Sequence, residues 1–244
     1  MTVVLVHGVP ETAAIWSGVR DHLERDSVTL ALPGFGCPRP AGFGATMGEY
    51  VAWLHGELGR IGGPVDLVGH DWGGILTTRI ATSAGAERLH SWASDVVNTV
   101  DADYVWHDLA QIWITPGEGE KFWDGFRADP AGSAGLLAAL GVPDDRASEM
   151  VAAIDETMIG CILDLYRSSA DIGRDWAATG PSSVPGLAMV GGADTLADPG
   201  RVKAMADRLG AAFAELDGQG HFWPLQGAAV GAAALEAFWD GLPG

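Results

Sequence analysis

Cysteine and lysine are almost missing from this chain of 244 residues. The only cysteines, Cys37 and Cys161, lie in unrelated contexts, so the sequence offers neither a disulfide framework nor a metal-ligand pattern. Lysine occurs only at Lys121 and Lys203. Positive charge is scarce altogether: 14 Lys and Arg stand against 32 Asp and Glu, a formal net charge of −18. A field of that sign repels phosphate backbones and anionic headgroups, which argues against nucleic acid and membrane surfaces as partners. Long hydrophobic runs are lacking too, and no segment approaches the ~18 apolar residues of a membrane span. The opening "MTVVLVHG" has no basic region and too short an apolar run for a secretory signal, so a cytoplasmic protein is expected.

Hydrophobic residues, at 48%, are plentiful enough for one sizeable core. They fall in short runs bounded by Gly and Pro, which predict strands at 2–6, 27–32, 65–69, about 89–96, 186–191 and 212–216. Runs that are apolar throughout, rather than alternating, suit strands covered on both faces of a parallel sheet. Between them "TMGEYVAWLHGELGRIGG" places Thr46 and Glu49 at capping-box spacing ahead of helical periodicity. Asp198 before Pro199 reads as another helix cap. Strand–helix alternation of this kind predicts an α/β fold with a mostly parallel sheet. From about 98 to 180 the rhythm changes to helical patterns with Trp106, Trp113, Trp123 and Trp176 and no convincing strand. The expected organisation is therefore a core from residues 1–97 and 181–244, with 98–180 as a helical lid.

The stretch "VDLVGHDWGGILTTR" runs from an apolar strand through Gly-x-Asp-x-Gly into a helix, the layout of a nucleophile elbow. Glycines permit the tight turn, and the helix N-terminus favours an anion at its crest, so Asp71 is displayed as an ionised nucleophile. The competing reading makes Asp71 an ordinary cap of that helix. After the first strand comes His7-Gly8-Val9-Pro10, where the backbone N–H of Val9 can join that of Trp72 in an oxyanion site. Asp194 falls just past a strand end, where a carboxylate can orient a histidine. His221, in "DGQGHFWPLQ", follows the last strand and completes the order nucleophile, acid, histidine. Asp95, at the end of another strand, is a rival for the acid.

Together these pieces resemble the α/β-hydrolase superfamily, and "GHDWGG" with "HGVPE" resembles its aspartate-nucleophile branch of epoxide hydrolases and haloalkane dehalogenases. Members usually carry two further strands before the His-Gly-x-Pro strand, so the resemblance implies a smaller sheet of about six strands here. It also implies a cis Val9–Pro10 bond and no cofactor. By the same likeness, Asp71 attacks an sp3 carbon to form an alkyl-enzyme ester, and His221 with Asp194 activates the water that hydrolyses it.

An epoxide needs a proton donor for its developing alkoxide, whereas a halide needs a cradle of N–H groups. Val9 carries no side-chain donor where haloalkane dehalogenases often place one. The segment "ILDLYRSSADIGRDW" resembles the one that carries a lid tyrosine in epoxide hydrolases, which points to Tyr166. For the second donor Tyr104, Trp106, His107 and Trp113 remain open, an indole being a donor only and histidine able to donate from either nitrogen. The leading expectation is an epoxide hydrolase acting on a small apolar or aromatic substrate, as the tryptophan-rich lid suggests. The alternatives are a haloalkane dehalogenase, a non-catalytic binder of small molecules, or a biosynthetic tailoring enzyme of the same fold.

Overall fold

A computed structural model describes residues 1–242. Six strands, β1 (Thr2–Val6), β2 (Ser27–Leu30), β3 (Val65–Gly69), β4 (Leu89–Ser94), β5 (Gly186–Gly191) and β6 (Ala212–Leu216), form one sheet in the order β2-β1-β3-β4-β5-β6, every pair parallel. The wholly apolar runs take the inside: β3 and β5 are buried at every residue, while the edge strands β2 and β6 are largely half-exposed. This division follows from parallel topology, in which crossover helices cover both faces and only the edges meet water.

The helices are α1 (Ser17–His22), α2 (Met47–Ile61), α3 (Trp72–Ala81), α4 (Asp108–Ile114), α5 (Glu118–Ala128), α6 (Pro130–Ala139), α7 (Asp144–Ala153), α8 (Glu156–Ser168), α9 (Ile172–Asp175), α10 (Pro199–Leu209), α11 (Trp223–Gln226) and α12 (Ala228–Asp240). Helix α2 starts with the expected capping box, in which Thr46 and Glu49 each satisfy the other's backbone N–H. Asp198 caps α10 by accepting from the N–H groups of Gly200 and Arg201. None of the described helices is long and apolar enough to cross a membrane.

Two strands end earlier than their apolar runs predict. The 27–32 run leaves the sheet after Leu30, and the Leu32 N–H instead donates to His7 Nε2 at 3.1 Å. The 89–96 run leaves after Ser94, because Asp95 turns inward to a buried histidine. Both departures trade ladder bonds for buried tertiary bonds, which hydrophobic patterning does not register.

Helices α4 to α9 all fall between β4 and β5, with no strand among them. They are tied to the sheet-bearing part at several points. Ser168 Oγ accepts from the Met47 N–H at 2.8 Å, and Arg39 pairs with Asp164 at 2.8 Å. On the far side Gln226 donates to Gly141 O between α6 and α7 and accepts from the Gly220 N–H, next to His221.

Candidate active site

Parallel strands send all their C-terminal ends to one side, and there the chemically suited residues converge. Asp71 sits between β3 and α3 with φ 48° and ψ −120°, a backbone region that side chains rarely occupy. Its side chain makes no capping bond to α3. Oδ1 instead accepts from the Val9 N–H at 2.7 Å, across the cis Val9–Pro10 turn, and the Trp72 N–H adds a second favourable donor. The flanking glycines are required by close approach. A methyl group on Gly73 would strike the carbonyls of Val6 and His7, so α3 could not lie against the end of β1. One on Gly8 would collide with the Asp71 side chain itself.

The other carboxylate oxygen, Oδ2, lies 3.7 Å from His221 Nε2. His221 Nδ1 is 3.0 Å from Asp194 Oδ2, and Asp194 Oδ1 accepts from the Leu196 N–H at 2.7 Å. The structure thus brings Asp71, His221 and Asp194 into one chain of contacts. Burial works against a charge on His221, but its bonds to Asp194 and Asp71 prevail and raise its pKa to about 10. Burial likewise opposes ionisation of Asp71 and Asp194, yet the His221 contacts hold both below the usual aspartate range. At neutral pH the resting site is an imidazolium flanked by two carboxylates.

Asp95, the rival acid, is engaged elsewhere. Its Oδ1 accepts from the Asp71 N–H at 2.9 Å, and its Oδ2 meets His70 Nδ1 at 2.5 Å and the Trp223 indole N–H at 2.6 Å. On the other edge of the His70 ring, Nε2 lies 2.9 Å from Glu11 Oε1, while Glu11 Oε2 accepts from the Gly8 N–H at 3.0 Å. Glu11, His70 and Trp223 were not singled out in the sequence, although "HGVPE" and "GHDWGG" contain two of them. The available signal was a His next to Asp71 and a Glu two residues after Val9.

Above the triad is a cavity lined by Val9, Pro10, Asp71, His107, Trp113, Trp123, Tyr166, His221 and Phe222 together with Phe122, Phe126 and several leucines. Its walls are apolar apart from the triad and a few donors. Tyr166, on α8, is buried, its ring held edge-on by Trp72 and Trp113. Burial and the nearby Asp71 charge push its phenol well above its ordinary pKa, so it stays protonated. The Trp72 indole N–H lies near enough to oppose that shift, yet it meets no partner at hydrogen-bonding geometry.

His107 caps α4: its Nδ1 accepts from the Ala110 N–H at 3.3 Å, which leaves the ring proton on Nε2. Burial lowers its pKa, so the ring is neutral. Trp106 is not free to donate, because its indole N–H is spent on Ser169 O, and Tyr104 packs against Trp106 outside the cavity lining. Trp113 lines the cavity and its indole N–H has no partner.

The sequence profile of the alpha/beta hydrolase family matches residues 3–234. The chain belongs to that family. No curated protein matches it by sequence. Solved structures agree on the fold of this hydrolase. The haloalkane dehalogenase DbeA from Bradyrhizobium elkani is similar with a TM-score of 0.76 at 19% identity, over 98% of this chain and 90% of that one. A "putative epoxide hydrolase" from Pseudomonas aeruginosa gives 0.75 at 16% identity, over 98% and 88%. Cfl2 from Burkholderia cenocepacia gives 0.79 at 20% identity, over 97% and 87%. Such likeness shows the fold; the family match supports a hydrolase, and the reaction is left to be argued from the site.

Proposed function

We propose that this hydrolase is an epoxide hydrolase with Asp71 as nucleophile, and that α4 to α9 form its cap. The observation that carries the reading is the buried Tyr166 hydroxyl. It is a phenol that burial keeps protonated, beside the Trp72 indole on the wall of the cavity that also holds Asp71 and the neutral His107 ring. Phenol and imidazole N–H together suit an oxygen that gains negative charge as a ring opens.

Oδ2 of Asp71 attacks one ring carbon while that carbon's bond to the epoxide oxygen breaks. The oxygen keeps the electron pair and takes a proton from Tyr166, with His107 Nε2–H as the second donor. Asp71 is then a neutral ester, and His221 has lost one of the two anions that raise its proton affinity. Its proton passes, by way of water, to the Tyr166 phenolate, and Nε2 then takes a proton from the water that adds to Cγ of Asp71. Oδ1 carries the resulting negative charge against the N–H groups of Val9 and Trp72. Collapse expels the alkyl oxygen as an alkoxide, which takes the proton of the new carboxylic acid, so that Asp71 is again a carboxylate and a diol is released. The substrate suggested by walls of Trp113, Trp123, Phe122 and Phe126 is a small apolar or aromatic epoxide, recognised by burial.

One observation favours a second reading. The indole N–H groups of Trp72 and Trp113 are buried without partners, and a pair of such donors suits a departing halide. Intact-mass spectrometry of His221→Gln, incubated with aryl epoxides and haloalkanes, separates the two. A gain of the whole epoxide mass is the expected result. A gain of the alkyl group with halide released would replace the proposal by a dehalogenase, and no adduct with either panel would refute the ester.

A further inference from the structure

Gln226, the last residue of "DGQGHFWPLQ", has no part in the proposed reaction, yet it stands between the helical insertion and the loop that carries His221. Its amide makes two bonds of opposite kind. Oε1 accepts at 2.7 Å from the N–H of Gly220, the residue before His221. Nε2 donates at 2.5 Å to Gly141 O, in the turn between α6 and α7. The backbone partners fix which way the amide points, since Gly220 offers a donor and Gly141 an acceptor. Gln226 itself is firmly planted. It ends α11, a single turn in which its own N–H donates to Phe222 O at 3.0 Å, and Trp223 at the head of that turn is buried against Trp16.

The two things it holds differ in how they are seated. Helix α8, which carries Tyr166, also buries Met158, Cys161, Ile162, Leu163 and Leu165, and it is pinned to the core through Asp164 to Arg39 and through Ser168 to the Met47 N–H. Helices α6 and α7 bury only Ser133, Leu137 and Ala147. Among the described residues, their polar ties to the sheet-bearing part are the Gln226–Gly141 bond and a 3.4 Å contact between Arg146 and Ser17. Even so, α6 and the turn after it supply Leu136, Leu137 and Leu140 to the cavity over Asp71. On the other side of Gln226, Gln219 O accepts from the Ala193 N–H at 2.8 Å, next to Asp194, so Gly220 is the open end of the His221 loop. A free glutamine side chain gives up rotamer freedom to make one exposed bond, which leaves that bond weak. Held at its far end by Gly141, the same side chain is already in the rotamer that meets Gly220.

We propose that Gln226 is a positioning residue that couples the α6–α7 wall of the cavity to the His221 loop, so that His221 is fully placed only when that wall is closed over the bound group. The functional consequence rests on the ester reading above. Attack by Asp71 does not need the brace, whereas hydrolysis of the ester needs His221 and therefore does. Water is then activated efficiently only while the wall is shut.

The first test needs no turnover and follows amide hydrogen exchange by NMR. Gln226→Met keeps the length and removes both bonds, so the Gly220 amide should exchange about tenfold faster than in wild type. Ala147→Gly weakens α7 and changes no residue of the His221 loop. With Gln226 in place it should speed Gly220 exchange about threefold, as α7 opens more readily. In the Gln226→Met background the same substitution should leave Gly220 exchange where it was. An unchanged Gly220 rate in Gln226→Met would overturn the coupling. So would an Ala147→Gly effect that is absent with Gln226 or equal in the two backgrounds. The second test mixes excess enzyme with styrene oxide, an aryl epoxide, in a single turnover read by intact mass. In Gln226→Met the ester should appear within about twofold of the wild-type rate and decay about tenfold more slowly, as for the loss of one neutral hydrogen bond. Equal slowing of both steps, or of neither, would overturn the positioning role. Should wild type form no ester, the reaction reading falls, and the exchange cycle still decides the coupling.

Discussion

Replacing Tyr166 with Phe removes one oxygen and nothing else from the cavity wall. The Trp72 indole N–H approaches that hydroxyl without reaching hydrogen-bonding geometry, and the ring keeps its packing on Trp72, Trp106 and Trp113. Loss of so weak a contact should keep the stability change within about 0.5 kcal/mol, or roughly 1–2 °C in Tm for a chain of this length. The rate is a different matter. A single donor to a developing oxyanion is worth about 2.7–4 kcal/mol, a factor of roughly 100 to 1,000. His107 remains as a second donor, which places the expected loss near the lower end, about 100-fold in ester formation. The assay is quenched-flow mixing with an aryl epoxide in the His221→Gln background, where the ester accumulates and its rate of appearance is read by mass. Displacement of halide from a haloalkane, if it occurs at all, should change much less. A Tyr166→Phe protein that forms ester within about threefold of the parental rate would refute the assignment of this hydroxyl.

Asp194→Asn should let the ester form and then persist, with hydrolysis slowed at least about 100-fold as His221 loses its orienting anion; intact mass read against time checks this. Asp95→Asn should instead lower the melting temperature by several degrees, because it disturbs the bonds to His70, the Asp71 N–H and the Trp223 indole together. Gly8→Ala should abolish activity, since the added methyl group must displace Asp71, and a crystal structure would show the carboxylate moved away from the Val9 N–H. The His221 pKa, raised to about 10, makes a signed statement about stability. A raised pKa contributes fully below the unfolded value of about 6.5 and is lost as pH climbs through about 10. The Tm advantage of wild type over His221→Gln should therefore be larger near pH 6.5 than near pH 10.5, and a constant difference would contradict it.

The strands and the elbow were legible in the sequence because their signals are local. An apolar run of five residues bounded by glycine needs no distant partner to be read, and all six strands lie where such runs occur. The order of Asp71, Asp194 and His221 was legible for the same reason, each standing just past a strand. Choosing among the aromatic residues of the helical insertion was not. Whether Trp106 can donate depends on Ser169 O, 63 residues away, and His107 gains its ring tautomer from the α4 backbone. The cluster beneath the elbow was hidden in the same way. Glu11 and His70 stood inside quoted motifs, but their meeting across 59 residues is a product of β1 lying beside β3.

The sheet order has a consequence for how this molecule comes into being. Each working group hangs from a different strand end: Val9 follows β1, Asp71 follows β3, Asp95 follows β4, Asp194 follows β5 and His221 follows β6. The decisive contacts bridge long stretches of chain, 62 residues between Val9 and Asp71 and 128 between Asp95 and Trp223. Contacts so remote are closed late, after the entropy of the intervening loops has been overcome. The site is therefore a property of the finished sheet. In refolding, helix content should return before activity does, and on the proposed mechanism the competence to hydrolyse the ester, which needs His221, should return only when β6 has docked.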